Sequence, residues 1–92
     1  MLMSNYNEWV SKIPKSVFED LATRQNPQIL WIGCCDSRVS EECLKQLPGS
    51  VFVHRNIGNI VDDKDTQTLA VIQYAVLKLK VEHVFIVGNL SL

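Results

Sequence analysis

No run of like charge occurs in this sequence: nine basic and ten acidic residues are interleaved, for a formal net charge of −1. That leaves no electrostatic footprint for a phosphate backbone and no acidic tail, so nucleic acid is not an expected partner. Apolar stretches of membrane-spanning length are also missing, and no membrane partner is expected. The start, Met1-Leu2-Met3 running straight into Ser4-Asn5-Tyr6-Asn7-Glu8, lacks a secretory hydrophobic region. Glycine is scarce, and Gly33, Gly58 and Gly88 do not make a G-x-G-x-x-G, so a nucleotide site has no motif to rest on. The three cysteines form neither a Cys-x-x-Cys nor a zinc-finger spacing, which argues against a redox motif and a structural zinc. Cys34 and Cys35 are adjacent, and joining them would strain a disulfide. Reduced thiols and no address point to the cytosol, with mitochondria left open. Repeats and low-complexity tracts are absent.

What is present is an apolar chain: 47% of the 92 residues are hydrophobic. That suits one domain at most, and a chain this short buries only roughly 60–65% of its unfolded surface unless a partner adds to it. Residues 5–12 carry Tyr6, Trp9 and Val10, followed by Ile13, at helical spacing before Pro14. Ser16 can cap a second helix through Thr23, and Asn26-Pro27 breaks it. Residues 28–33 then read as a buried strand, apolar on both faces. Ser40 suits the N-cap of a brief helix over 41–47, whose first-turn acids Glu41 and Glu42 suit the helix dipole. Pro48-Gly49 is a turn, 51–54 a second strand, and 55–65 a polar loop. Residues 66–80 form the strongest helix, apolar on so many sides that it is expected to be covered nearly all round. Residues 84–88 are a third buried strand whose edge is expected to lie open, favouring self-association. Strands alternating with helices predict an α/β fold, a parallel sheet of three βα-type strands behind N-terminal helices. The expected organisation is a single unit over 1–92, with a helical arm at 1–27 and a βα core at 28–92.

In such sheets the chemistry lies past the carboxyl ends of the strands. There the sequence offers Cys34-Cys35-Asp36-Ser37-Arg38 and Arg55-Asn56-Ile57-Gly58-Asn59. Cys34 as thiolate can bind a borderline-soft metal, and Arg38 can hold Asp36 ionised in a two-pronged pair. The same residues also read as a small buried side chain beside a loop salt bridge. Neither Cys34 nor Cys35 is spaced from Arg38 as a phosphatase loop requires.

The surroundings add a family resemblance. Residues 30–38, Leu-Trp-Ile-Gly-Cys-Cys-Asp-Ser-Arg, resemble the first signature of the β-class carbonic anhydrases. Residues 52–59, 69–76 and 81–88 resemble, in order, three further blocks of that family, so the likeness runs from Asn5 to Gly88. It implies an incomplete β-carbonic anhydrase fold, zinc as cofactor, and carbon dioxide and bicarbonate as substrates of a reversible hydration. By resemblance Cys34 is the first zinc ligand, and Asp36 with Arg38 is the catalytic dyad, Asp36 also able to occupy the metal. Trp31 and Arg55 resemble residues of a non-catalytic bicarbonate pocket found in one subgroup. The family's other two ligands come from a Gly-His-x-x-Cys-Gly-Gly stretch after the third strand. Here Asn89 stands where the histidine belongs and Leu92 where the second cysteine belongs, so the 92 residues alone are expected to lack appreciable hydration activity. The family also implies an oligomer, either with copies of this chain or with a full-length paralogue whose assembly the chain would modulate.

Overall fold

The computed structural model of the chain describes residues 1–36 and 38–88. Two helices, α1 (Leu2–Lys12) and α2 (Lys15–Thr23), precede strand β1 (Ile29–Cys34). A short 3₁₀ turn, Glu41–Leu44, leads to β2 (Val51–Asn56), and a second, Ile57–Asn59, follows it. Helix α3 (Thr66–Gln73) continues into a wider π-type turn, Tyr74–Lys78, before β3 (His83–Ile86). The strands form one parallel sheet in the order β2-β1-β3, so β1 is central and the chain reverses direction across it. This is the expected α/β architecture.

Burial follows that order. Leu30 and Ile32 of β1 are fully buried and form the core with Ala75, against which Phe52, Val71, Ile72 and Val81 pack. One face of the sheet therefore meets α3. The other carries Trp31 stacked on Phe85, with ring centroids 6.2 Å apart. At its start β1 is tied to both neighbours. The amides of Gln28 and Ile29 donate to the Ser50 carbonyl, while Glu82 and His83 donate to that of Gln28.

Several expectations shift at this level. The second helix starts at Lys15 without a side-chain cap, because Pro14 already presets its entry. The predicted helix over 41–47 is only one turn, capped as expected by the Ser40 hydroxyl accepting from the Glu42 amide; left-handed Lys45 stops it. The second strand runs two residues further than read, to Asn56. The long helix is not covered all round: among its residues only Thr68 and Ala75 are buried, and Leu77 is 65% exposed. Nor is β3 buried, since all four of its residues are exposed. Both departures share a cause. β3 is a sheet edge among the described residues, and the apolar surfaces of α3 and β3 extend beyond what β1 and β2 can cover.

The arm rests lightly on the rest. Trp9 meets Phe18 edge-on at 6.1 Å, joining α1 to α2, and neither helix contains a buried residue. Helix α2 meets the turn before β2 through Leu21, whose side chain occupies the space a Cβ at Gly49 would need; Gly49 also has a φ of +83°, so glycine is required there twice over. No helix among the described residues is long and apolar enough to cross a membrane.

Candidate functional site

The order β2-β1-β3 puts the reversal of winding between β1 and β3, where α/β sheets leave a crevice at the strand ends. Cys34 is the last residue of β1 and is 2% exposed. The ladder to β2 runs through Cys34 opposite Asn56 and is extended by the Cys35 amide donating to the Asn56 carbonyl at 2.9 Å. On the other side pairing ends at Ile32 opposite Ile86, after which the Val87 amide donates to the Ile32 carbonyl at 2.9 Å. The chain then turns sharply, leaving Cys35, Asp36 and Arg38 exposed around the buried thiol. Ser37, Asn89 and Leu92 lie outside the described residues.

Residues 29–90 match the family described as carbonic anhydrase, about two thirds of the chain. The chain belongs to the β-class carbonic anhydrases. It is 47% identical over 73 residues to the carbonic anhydrase of Candida albicans, covering 79% of this chain but 26% of that protein. The Saccharomyces cerevisiae carbonic anhydrase is 41% identical over 86 residues, covering 89% and 39%. A tetrameric β-carbonic anhydrase of Sordaria macrospora superposes with a TM-score of 0.79 at 49% identity, covering 90% of this chain and 44% of that one. The Coccomyxa β-carbonic anhydrase, solved with acetazolamide, gives 0.83 at 36% identity over 92% and 40%. The chain thus spans between 26% and 44% of the length of these relatives.

Zinc is the cofactor that this family implies. Among the described residues no group of three or more His, Cys, Asp or Glu side chains is gathered to hold a metal ion. A catalytic zinc takes three protein ligands and leaves a fourth position for water. Cys34 and Asp36 alone do not meet that requirement, and by sequence neither Asn89 nor Leu92 offers an imidazole or a thiolate.

Trp31 and Arg55 do come together. Gly33 sits opposite Arg55 in the ladder, and a Cβ on Gly33 would lie 2.8 Å from the Trp31 indole nitrogen and 3.7 Å from an Arg55 guanidinium nitrogen. Trp31 is 3% exposed, yet its Nε1 has no hydrogen-bond partner among the described residues. Arg55, by contrast, is engaged: Nη1 donates to the Cys34 carbonyl at 3.2 Å, and Nη2 pairs with the Glu41 carboxylate. By sequence Glu41 is a first-turn acid suited to a helix dipole. A one-turn 3₁₀ segment has little dipole to satisfy, and the carboxylate instead fixes Arg55. A cleft of 510 Å³, lined in part by Trp9, Lys45 and Val53, opens on Glu41.

A polar web behind the site went unread in the sequence. The Thr68 hydroxyl, fully buried, donates to Asp65 Oδ2 at 2.6 Å. Its single proton is then spent, so it accepts from Asn56 Nδ2 at 3.3 Å and from His54 Nε2 at 3.0 Å. His54 therefore donates from Nε2 and acts as a hydrogen-bonded structural histidine. Asp65 also caps α3 by accepting from the Gln67 and Thr68 amides. The Thr68 hydroxyl, the largest influence, and then the Thr68 amide hold the Asp65 carboxyl below its usual value; partial burial opposes them, while the Gln67 amide and the His54 charge add to them.

Proposed function

We propose that Cys34, Asp36 and Arg38 are the N-terminal part of a site for the reversible hydration of carbon dioxide to bicarbonate, Cys34 as a zinc ligand and Asp36 with Arg38 as the catalytic dyad. The observation that carries this reading is the buried Cys34 thiol at the carboxyl end of the central strand, with Asp36 and Arg38 on the turn leaving it. In that role Asp36 would accept a hydrogen bond from a proton-bearing oxygen. Because the described residues do not make a three-ligand set, the 92 residues alone do not reach appreciable turnover. The cytosol is the proposed compartment. Purified chain, freed of host carbonic anhydrase, should hold well under one zinc per chain after chelator dialysis and hydrate carbon dioxide no faster than buffer. Stoichiometric, tightly held zinc with robust hydration overturns this part. Cadmium should give a thiolate absorption band that Cys34→Ser removes more completely than Cys43→Ser, and an unchanged band in Cys34→Ser overturns the ligand assignment.

Trp31 and Arg55 are proposed as a bicarbonate pocket, supported by the unpartnered buried Nε1 beside a guanidinium. Glu41 already neutralises Arg55, so the anion would compete with that carboxylate. In a Trp9→Phe background, Trp31 fluorescence should report bicarbonate binding that Glu41→Gln strengthens; weaker or equal binding in Glu41→Gln argues against the pocket.

A second reading is non-catalytic: the chain associates with full-length subunits of the family and modulates their assembly. It is supported by α1 and α2, which contain no buried residue and leave Trp9 47% exposed. Co-expression with an intact β-carbonic anhydrase should give co-purification that a chain lacking residues 1–27 does not. Equal recovery of both forms removes the arm from this reading.

A further inference from the structure

The three strand ends around Cys34 are held by one short turn rather than by the sheet alone. The β1–β3 ladder ends at Ile32 opposite Ile86, so the carbonyl of Val87, just past β3, lies beyond its last pair. Asn59 supplies the donor: its Nδ2 reaches the Val87 carbonyl at 2.9 Å, across 28 residues of sequence. The Val87 amide is already paired with Ile32, so Val87 is bridged to β1 by its amide and to the 57–59 turn by its carbonyl. At the other end of the turn, the Asn56 carbonyl accepts from the Cys35 amide. The Asn56 side chain closes the turn, donating to the Ile60 carbonyl and accepting from the Ile60 amide, both at 2.8 Å. Its remaining proton goes to Thr68, which ties the turn to α3.

The conformation of the turn is specific. Gly58 and Asn59 both lie at positive φ, +78° and +53°, and of the non-glycine residues asparagine is among those that tolerate that region best. Asn59 Oδ1 is buried without a partner among the described residues. A carboxamide held in a costly backbone conformation and only half satisfied is kept for the bond it makes, and that bond is to Val87.

We propose that Asn59 is a positioning residue: its carboxamide holds the Val87 carbonyl past the last β1–β3 pair, and so sets the end of β3 against the buried Cys34. The inference rests on Cys34 being the thiolate of the site for its functional meaning, but not for its test. That test is backbone amide exchange on the full 92-residue chain, combined with thiol reactivity of Cys34 in a Cys35→Ser/Cys43→Ser background. Asn59→Gly preserves the positive φ and deletes the carboxamide. Exchange of the Val87 amide should rise about fivefold to tenfold, as expected for one hydrogen bond's net worth. Cys34 should react correspondingly faster, while Leu30 and Ile32 amides remain as protected as in the parent. Asn59→Asp keeps the shape but aims a carboxylate oxygen at the Val87 carbonyl, and should not restore protection. Unchanged Val87 exchange and Cys34 reactivity in Asn59→Gly overturn the proposal. If Asn59→Gly unfolds, Asn59→Asp decides alone, with parent-like Val87 protection counting against the proposal. Loss of Leu30 and Ile32 protection in both variants also overturns it, because a global role would then replace a local one. The cadmium band of Cys34 is read separately, so failure of the site assignment and failure of the latch give different results.

Discussion

Leu30 lies between two strands that treat it differently. On one side it is opposite Phe52 of β2, which packs on the core and lies 5.8 Å from the Tyr74 ring. On the other it is opposite Val84 of β3, which is 49% exposed. The β2 flank is finished: six paired residues, an ion pair through Arg55, and a polar web to the start of α3. The β3 flank has four paired residues, all exposed, and the Asn59 bond beyond them. The contrast maps onto the chemistry. The flank that pairs with Cys34 is closed within the described residues, whereas the β3 flank presents an open apolar edge there.

That contrast can be broken most directly by truncating the two partners of Leu30. Phe52→Ala should cost about 3 kcal/mol, the lower end for a large aromatic removed from a core it only partly enters. Val84→Ala should cost under about 0.5 kcal/mol, as for a surface substitution. Urea midpoints of the two variants, compared at low concentration, give the answer, and equal losses would erase the distinction. The open edge should also show as concentration-dependent association, since an uncovered apolar strand templates pairing. Val84→Lys should suppress it; a parent chain that sediments as a monomer at all concentrations contradicts this.

Thr68 comes next in size. Thr68→Val keeps the volume but strands His54 Nε2, one proton of Asn56 and Asp65 Oδ2 in a partly buried setting. The expected loss is about 2 kcal/mol, within the usual cost of leaving buried polar groups unpaired. Thr68→Ser restores the hydroxyl and should recover most of it. If valine and serine are equally destabilising, the methyl group matters and the web does not.

The sheet was legible because residues 29–33 and 84–88 carry no polar side chain, as strands of a parallel sheet covered on both faces do. Strand order was not, since nothing local in β1, β2 or β3 says which is central. The same apolarity misled at α3 and β3, where sequence records the wish for cover but the described residues do not contain the covering surface. Cys34, Asp36 and Arg38 could be picked out as one contiguous motif. Glu41, fourteen residues from Arg55, could not, because an ion pair across that separation leaves no spacing signal. Asp65 was readable in principle: an aspartate three residues before Thr68 at the head of an apolar helix is a capping pattern. It was hidden as the last member of the acidic group Asp62-Asp63-Lys64-Asp65.

The smallest effect concerns that same cap, and it sharpens the contrast because it belongs wholly to the β2 flank. Asp65 is held below its ordinary pKa, first by the Thr68 hydroxyl and next by the Thr68 amide. A carboxyl depressed on folding adds stability that is fully present above its unfolded value, about 3.9, and is lost as pH falls through the lower folded value. Protonation also forces a choice on Thr68, whose proton no longer meets a carboxylate. In Asp65→Asn an amide can occupy the place of Oδ2, and its N–H groups face an oxygen that already accepts two donors. The parent should therefore exceed Asp65→Asn in urea midpoint by a constant margin at pH 6 and pH 5, a margin that narrows as pH drops below about 4. The protection of the Thr68 amide against exchange should fall over the same interval, with the Val84 amide unaffected. A margin that stays constant down to pH 3 would mean that the cap works through shape rather than charge.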